Sequence, residues 1–371
     1  AAAAVLVSFQ FVYQVKRAQI DPLVMMWITL ANWGLLLHLL KGPNWRAYWL
    51  GCFAAGLGVI TKGVGVLALL MLLPFLFARL RRWDGVSQTS GSGWRWAGGA
   101  LAFLLAIALW LVPMLWVAHA RGTAEYAAYV SDILFHQTAK RYEGSIGGHA
   151  QPFWYYLPVL LLHFFPLSLA YPGALRFWQR GLKEGDARLL LLLGWSLLVV
   201  FFFSLAGGKR EVYLMPVLPM LALALAPTLQ QTVSNRWIRW ITWLAALAAG
   251  VVLVGGGIWA MLGHWTSMQQ QVLERGLADN GRWLWWMGIC MGAVFLLSSL
   301  WWRPRRGVHA LLAGTAGFWI IWGAWASILL NDSNSAVGVI YFGCRAGKDN
   351  IKGHPNPAQI EQQLRGEVEG R

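Results

Sequence analysis

The chain is built from long apolar runs laid end to end, and this restricts its fold more than any motif in it. A run of roughly 17 to 25 apolar residues crosses the hydrocarbon core of a bilayer as a helix, because a helix satisfies its backbone polar groups internally. By hydropathy about eleven runs follow one another: Ala1 to Val15, Pro22 to Leu40, Ala47 to Ile60, Val64 to Phe77, Ala97 to Ala118, Pro152 to Tyr171, Leu189 to Leu205, Val212 to Leu225, Trp237 to Leu262, Leu284 to Leu300 and Val308 to Leu330. The third and fourth are short, and one broken or re-entrant unit is the alternative reading of them. With 12% of 371 residues charged, against about 25% in ordinary soluble domains, a soluble globular protein is excluded. The expected fold is an all-α membrane protein, a polytopic transmembrane helical bundle of about eleven spans over residues 1–340.

The net charge of +15 raises the question of nucleic acid, and the placement of the charges answers it. Alternate loops, from Lys41 and Arg46 through Arg79, Arg81, Arg82, Arg95, Arg176, Arg180, Lys183, Arg188, Arg236 and Arg239 to Arg303, Arg305 and Arg306, hold fifteen basic residues against three acidic ones. The opposite loops hold ten against eight. The first set is therefore cytoplasmic by the positive-inside rule, and most of the charge is a topology signal. This excludes nucleic acid as a partner and leaves membrane lipids. Many of the 25 Trp, among them Trp45, Trp49, Trp94, Trp96, Trp237, Trp240, Trp301 and Trp302, fall near span ends, where an amphipathic ring anchors at the headgroups.

Both ends of the chain are unusual. Ala1 begins inside an apolar run without an initiator Met or the basic start of a signal peptide, which points to missing upstream sequence. Residues 341–371 are polar and without amphipathic period, and are expected to be a disordered tail. Cys52, Cys290 and Cys344 are scattered and make no disulfide framework or CxxC site.

Polar groups at membrane depth are costly and mark functional candidates. On the outward side they concentrate in three places. In Lys16-Arg17-Ala18-Gln19-Ile20-Asp21-Pro22, Asp21 opens a span, either as a general base or acceptor-orienting acid or as an N-terminal acid favoured by the helix dipole. The long loop 119–151 contains His136, Lys140, Arg141, Glu143 and His149 before Gln151-Pro152-Phe153-Trp154-Tyr155-Tyr156-Leu157-Pro158. His136 and Arg141 have the chemistry for a metal and a phosphate, with structural or solvated roles as the alternative. Gly207-Gly208-Lys209-Arg210-Glu211-Val212-Tyr213-Leu214-Met215-Pro216 puts two cations and a Tyr in an outward turn, either an anionic-headgroup site or interfacial snorkelling. Lys62, in Thr61-Lys62-Gly63, is a further outward cation. Gly250 and Gly255 to Gly257 have the look of small-residue helix packing. No Walker, GxGxxG or HExxH pattern is present.

In this order, the element from Arg17 to Asp21, the Thr61-Lys62-Gly63 turn, His136 with Arg141, the His149-to-Pro158 run and the Lys209-to-Pro216 run resemble the bacterial polyprenyl-phosphate-sugar glycosyltransferases, which include the lipid A aminoarabinose transferase and relatives of protein O-mannosyltransferases. The resemblance covers roughly Ala1 to Ala226, and beyond Trp237 only hydropathy and length agree. It implies a GT-C membrane fold in the bacterial inner membrane, with the active site facing the periplasm. It also implies transfer of a sugar from an undecaprenyl phosphate donor to a glycolipid, such as lipid A, or a protein acceptor. Asp21 takes the catalytic acidic role. Arg141 and Tyr213 hold the lipid phosphate, helped by Lys62, Lys209 and Arg210, and His136 helps bind a divalent metal. The Arg17-to-Asp21 element is one residue longer than the family's form. The family's first outward loop, whose acids supply a general base and the metal's carboxylate partner, precedes residue 1, so an N-terminally truncated chain with an incomplete active site is expected. A secondary transporter would place charges at the midplane in both halves, whereas here they cluster on one face. A lipid-linked glycan ligase or polymerase shares the donor but arranges its outward loops differently.

Overall fold

The computed structural model describes residues 1–16, 19–87, 93–122, 130–131, 151–266 and 282–331, and no strand forms among them. The helices are α1 (Ala2–Leu6), α2 (Phe9–Val15), α3 (Asp21–Lys41), α4 (Trp45–Lys62), α5 (Leu72–Leu80), α6 (Gly93–Arg121), α7 (Tyr171–Lys183), α8 (Ala187–Leu205), α9 (Val217–Ser234), α10 (Arg236–Met261), α11 (Arg282–Trp301) and α12 (Gly307–Asn331). Shorter 3-10 turns lie at Val64–Met71, Phe153–Tyr155 and Glu211–Leu214. The chain divides into two compact units, residues 1–249 with 295–315, and residues 250–294 with 316–371.

Local chemistry sets the helix ends. Asp21 and Pro22 open α3, an acid and a ring with no N–H in a turn that needs neither an inward donor nor a positive charge. The Asn44 side chain accepts the Ala47 N–H at 3.1 Å and starts α4. Asp186 starts α8 by accepting the Arg188 N–H at 2.9 Å, and its carboxylate is held in turn by the Arg188 guanidinium. Gly63, at φ +82°, ends α4 and reverses the chain into the 3-10 helix Val64–Met71.

In the first unit, α4 is gripped by backbone rather than by side chains. A Cβ at Gly51 would meet the Ala31 carbonyl oxygen of α3 at 2.8 Å, one at Gly56 the Phe103 carbonyl oxygen of α6 at 2.5 Å, and one at Gly58 the Gly65 Cα at 2.9 Å. Three neighbours therefore approach α4 as closely as main chains can. Around this strut a buried apolar cluster gathers Ile28, Leu35, Leu67, Met71, Phe164, Trp195 and Leu218. At the other face of α6, Leu101, Leu104, Leu105, Leu109, Val112 and Trp116 are exposed. Such a stripe calls for an apolar neighbour, lipid or another helix, rather than water.

About eleven spans were expected, and the helices correct that number. Among the described residues seven are long and apolar enough to cross a bilayer, or eight if one bent pair counts as a span. The Ala1 to Val15 run is split at Ser8, whose hydroxyl caps α2 while the Phe9 N–H turns to the Phe165 carbonyl at 2.8 Å. The two short runs are α4, which carries Arg46 and Lys62, and the shorter apolar stretch Val64–Leu80 folded back on it through Gly58 and Gly65. The Pro152 to Tyr171 run forms the pair Phe153–His163 and Leu167–Lys183, bent by 93°. Beyond that bend α7 is amphipathic: Ala174 and Gly181 are buried, Arg176, Arg180 and Lys183 are exposed, and the Trp178 Nε1–H donates to the Ala224 carbonyl at 2.9 Å.

Cations are the more numerous at one set of helix ends. Arg46, Arg95, Arg188 and Arg236 stand at the starts of α4, α6, α8 and α10, and Lys41, Arg79 and Lys183 close α3, α5 and α7. In the second unit, the glycine pattern is used in part. A Cβ at Gly257 would meet Ile289 Cγ1 at 2.6 Å, and one at Gly292 the Gly250 carbonyl oxygen at 2.8 Å, whereas Gly255 faces open space. The expected tail at 341–371 and most of the loop 119–151 lie outside the described residues.

Candidate functional site

At the end of the first unit away from the cation-rich termini, three elements bring their polar ends together. Asp21 stands in the first turn of α3, Lys62 is the last residue of α4, and Tyr213 lies in the 3-10 turn Glu211–Leu214 between α8 and α9. The Lys62 ammonium pairs with the Asp21 carboxylate, each side chain 15% exposed. Partly withdrawn from solvent, each charge needs the other, since an unpaired ion at this depth carries a desolvation cost of several kcal/mol. The same ammonium sits over the Tyr213 ring, 4.9 Å from its centroid, where the ring quadrupole attracts a cation. Tyr213 in turn packs on Phe203, with ring centroids 5.2 Å apart.

These groups border a cavity of about 150 Å³ whose apolar wall includes Ile28, Leu67, Val199 and Phe202. Trp195, fully buried, also lines it and donates its Nε1–H to the Leu67 carbonyl at 2.8 Å. Gly63 and Gly208 leave the mouth uncrowded, with nothing within 4 Å of a Cβ at either. The arrangement suits a molecule with an anionic head and an apolar body. The head finds an ammonium and a phenol, and the body finds hydrocarbon.

Of the residues singled out in the sequence, the fold brings Asp21, Lys62 and Tyr213 to this cavity from positions up to 192 apart along the chain. Lys209 is turned inward: it is buried and its ammonium donates to the Gln151 and Ala206 carbonyls at 2.9 and 2.7 Å. That cation braces the turn. Arg210 is exposed. Arg17, His136 and Arg141 lie outside the described residues, as do Lys140, Glu143 and His149. Among the described residues no three His, Cys, Asp or Glu side chains converge as metal ligands.

Sequence reasoning passed over the aromatic wall and a buried polar ring. Gln10 and Gln14, both buried, reach Glu211: Gln10 Nε2 donates to its carbonyl at 2.8 Å and Gln14 Nε2 to its carboxylate at 3.3 Å. Their i, i+4 spacing within an apolar run was the available signal, since it stacks two amides on one helical face.

No protein-family model matches the chain. It is 34% identical over 220 residues to the undecaprenyl phosphate-alpha-4-amino-4-deoxy-L-arabinose arabinosyl transferase of Pseudomonas aeruginosa strain LESB58, covering 58% of this chain and 37% of the relative. The enzyme of the same name from Enterobacter sp. strain 638 is 31% identical over 272 residues, covering 69% of this chain and 45% of the relative. In fold, the chain is similar to the crystal structure of ArnT from Cupriavidus metallidurans bound to undecaprenyl phosphate, with a TM-score of 0.54 and 18% identity over 86% of this chain and 55% of that one. The apo form of that protein gives 0.50 and 15% identity over 86% and 56%. The chain spans less than half the length of these curated relatives. The resemblance read from its motifs is thus borne out: it has the polytopic helical membrane fold of the solved ArnT, and its sequence is similar to that of the polyprenyl-phosphate sugar transferases.

Proposed function

We propose that this chain is the body of an integral membrane glycosyltransferase that moves a sugar from a polyprenyl phosphate, such as undecaprenyl phosphate, to an acceptor such as lipid A, another glycolipid or a protein. The observation that carries the reading is the convergence of Asp21, Lys62 and Tyr213 on a cavity with an apolar wall. The names of the similar transferases support it, as does the undecaprenyl phosphate bound to the solved ArnT. The cation-rich helix termini lie on the cytoplasmic side of the bacterial inner membrane by the positive-inside rule, so the site faces the periplasm.

In the reaction the acceptor attacks the anomeric carbon of the donor sugar, the bond from that carbon to the phosphate oxygen breaks, and polyprenyl phosphate leaves with the bonding pair. Charge grows on the leaving phosphate, and Lys62 and Tyr213 offset it. As Lys62 turns to the phosphate, Asp21 loses its partner and becomes able to orient the acceptor and take its proton. Arg141, by resemblance, adds a second cation at the phosphate, and Arg210 and Lys209 contribute field and bracing. The resemblance also assigns His136 to a divalent metal. The described residues hold no complete ligand set for one.

The test is sugar transfer by purified protein in membranes supplied with a polyprenyl-phosphate sugar. Arg141→Ala and Tyr213→Phe are each expected to lower the rate by about tenfold or more, the size of one lost charge-assisted contact, while membrane insertion persists. Full activity in both variants refutes the assignment.

A further inference from the structure

Glu211 is the meeting point of three segments that are remote in sequence. Its backbone carbonyl accepts from Gln10 Nε2 at 2.8 Å, one carboxylate oxygen from Gln14 Nε2 at 3.3 Å, and the other from the Tyr155 hydroxyl at 3.4 Å. The ring closes on its far side, where Gln10 Oε1 meets His163 Nδ1 at 2.9 Å. Glu211 thereby ties α2 to the stretch Phe153–His163 and both to its own turn. Each bond in the ring matters, because a buried amide group without a partner costs about 1–3 kcal/mol, and the Gln14 carbonyl oxygen already stands without one. Two residues further on, the same turn presents Tyr213 beneath Lys62.

We propose that Glu211, gripped by Gln10, Gln14 and Tyr155, is a positioning residue that fixes Tyr213 against Lys62 and so shapes the anion-binding mouth of the cavity. The inference rests on the reading of that mouth as a lipid-phosphate site. The turn has little freedom of its own. Its Tyr213 N–H donates to the Arg210 carbonyl at 3.1 Å, and just before it Lys209 is anchored on the Gln151 and Ala206 carbonyls. With 209 and 211 held, the chain enters Tyr213 from an anchored start, and its ring packs on Phe203. Glu211 does not line the cavity, so it holds the turn without putting a carboxylate against an incoming anion.

The chemistry separates two substitutions. Glu211→Ala removes both acceptors. Glu211→Gln keeps one for Tyr155 and, once the Gln14 amide turns over, offers an N–H₂ donor to Gln14 Oε1, a buried atom with no partner among the described residues. Two readouts test the idea in the purified protein: the 3-fluorotyrosine ¹⁹F resonance assigned to Tyr213 by its loss in Tyr213→Phe, and the affinity for farnesyl phosphate as a short polyprenyl phosphate. Glu211→Ala is expected to shift the resonance and weaken farnesyl phosphate by about fivefold or more, the scale of one misplaced hydrogen-bonding group. Glu211→Gln should restore both, and Glu211→Ala should add nothing in a Tyr213→Phe background. An unmoved resonance, or losses that simply add, overturns the proposal. If Glu211→Ala fails to fold, Gln14→Leu reports in its place and should give a smaller shift in the same direction; no shift overturns the clasp. Should the native protein not bind farnesyl phosphate, the lipid-phosphate reading fails, while the resonance still decides whether Glu211 positions Tyr213.

Discussion

Gly65→Ala tests whether the approach of the 3-10 helix to α4 sets the position of Lys62. A Cβ at Gly65 would lie 2.3 Å from the Gly58 carbonyl carbon, 2.4 Å from the Val59 nitrogen and 2.5 Å from the Ala55 oxygen. Contact between carbon atoms is comfortable at about 3.5 Å, so the two backbones must part by roughly 1 Å. No side chain can swing aside, because all three obstacles are main chain. Nor can α4 retreat, being held at Gly51 by α3 and at Gly56 by α6. Overpacking of this kind costs about 1–3 kcal/mol, and the smaller conformational entropy of Ala in the unfolded chain returns at most about 1 kcal/mol. A net loss of about 1–2 kcal/mol is expected. The displacement falls three residues from Lys62, and a misplacement of about 1 Å near reacting groups can cost about a hundredfold. The assays are thermal unfolding in detergent and farnesyl phosphate affinity, with Gly63→Ala as the reference. At Gly63 φ is +82° but a Cβ meets nothing within 4 Å, so that variant carries backbone strain of about 1–2 kcal/mol without collision. If Gly65→Ala melts at or above the native temperature and binds as tightly, the packing argument is wrong.

Three further outcomes follow from the same geometry. Asp21→Asn should slow sugar transfer more than it weakens donor binding, and an unchanged rate would remove Asp21 from the chemistry. Lys62→Met takes away the ammonium shared by Asp21 and the Tyr213 ring; farnesyl phosphate affinity, measured by titration, should fall by about tenfold or more, and an equal affinity would place the anion elsewhere. Trp195→Phe leaves the Leu67 carbonyl without its buried donor, and should cost about 1–3 kcal/mol in thermal unfolding; an unchanged melt would mean that the carbonyl finds another partner.

The helical membrane character was legible because hydropathy acts over windows of a dozen or more residues, and no local event alters it. Breaks were legible only where a residue has one conformational reason to be present: Gly63 announces a reversal, whereas Ser8 splits its run because the Phe9 N–H finds the Phe165 carbonyl, a partner 156 positions away. The site divides in the same way. Asp21 and Lys62 stood out as charges beside apolar runs, but their pairing across 41 positions is a product of α3 lying on α4. Lys209 resembled an anion-binding cation until two carbonyls, at 151 and 206, were turned toward it. Charge type can be read along a chain; which carbonyls a turn will offer cannot. Gln10 and Gln14 carry no motif, and Glu211, though quoted within the Lys209-to-Pro216 run, shows no role there, because the meaning of all three lies in converging on one turn.

The glycine contacts of α4 make the stiffness of this molecule uneven. Side chains can rotate to absorb a push, but Gly51, Gly56 and Gly58 meet their neighbours through main chain, so the helix can neither roll nor slide without parting backbones on three sides. The backbone of Lys62, at its tip, is therefore a fixed datum from which only the side chain swings. The opposite rim is held by side-chain hydrogen bonds, which exchange partners more readily than packed main chains part, so differences in guest preference among similar proteins should be sought in residues 206–216 and their Gln10 and Gln14 supports rather than in α4.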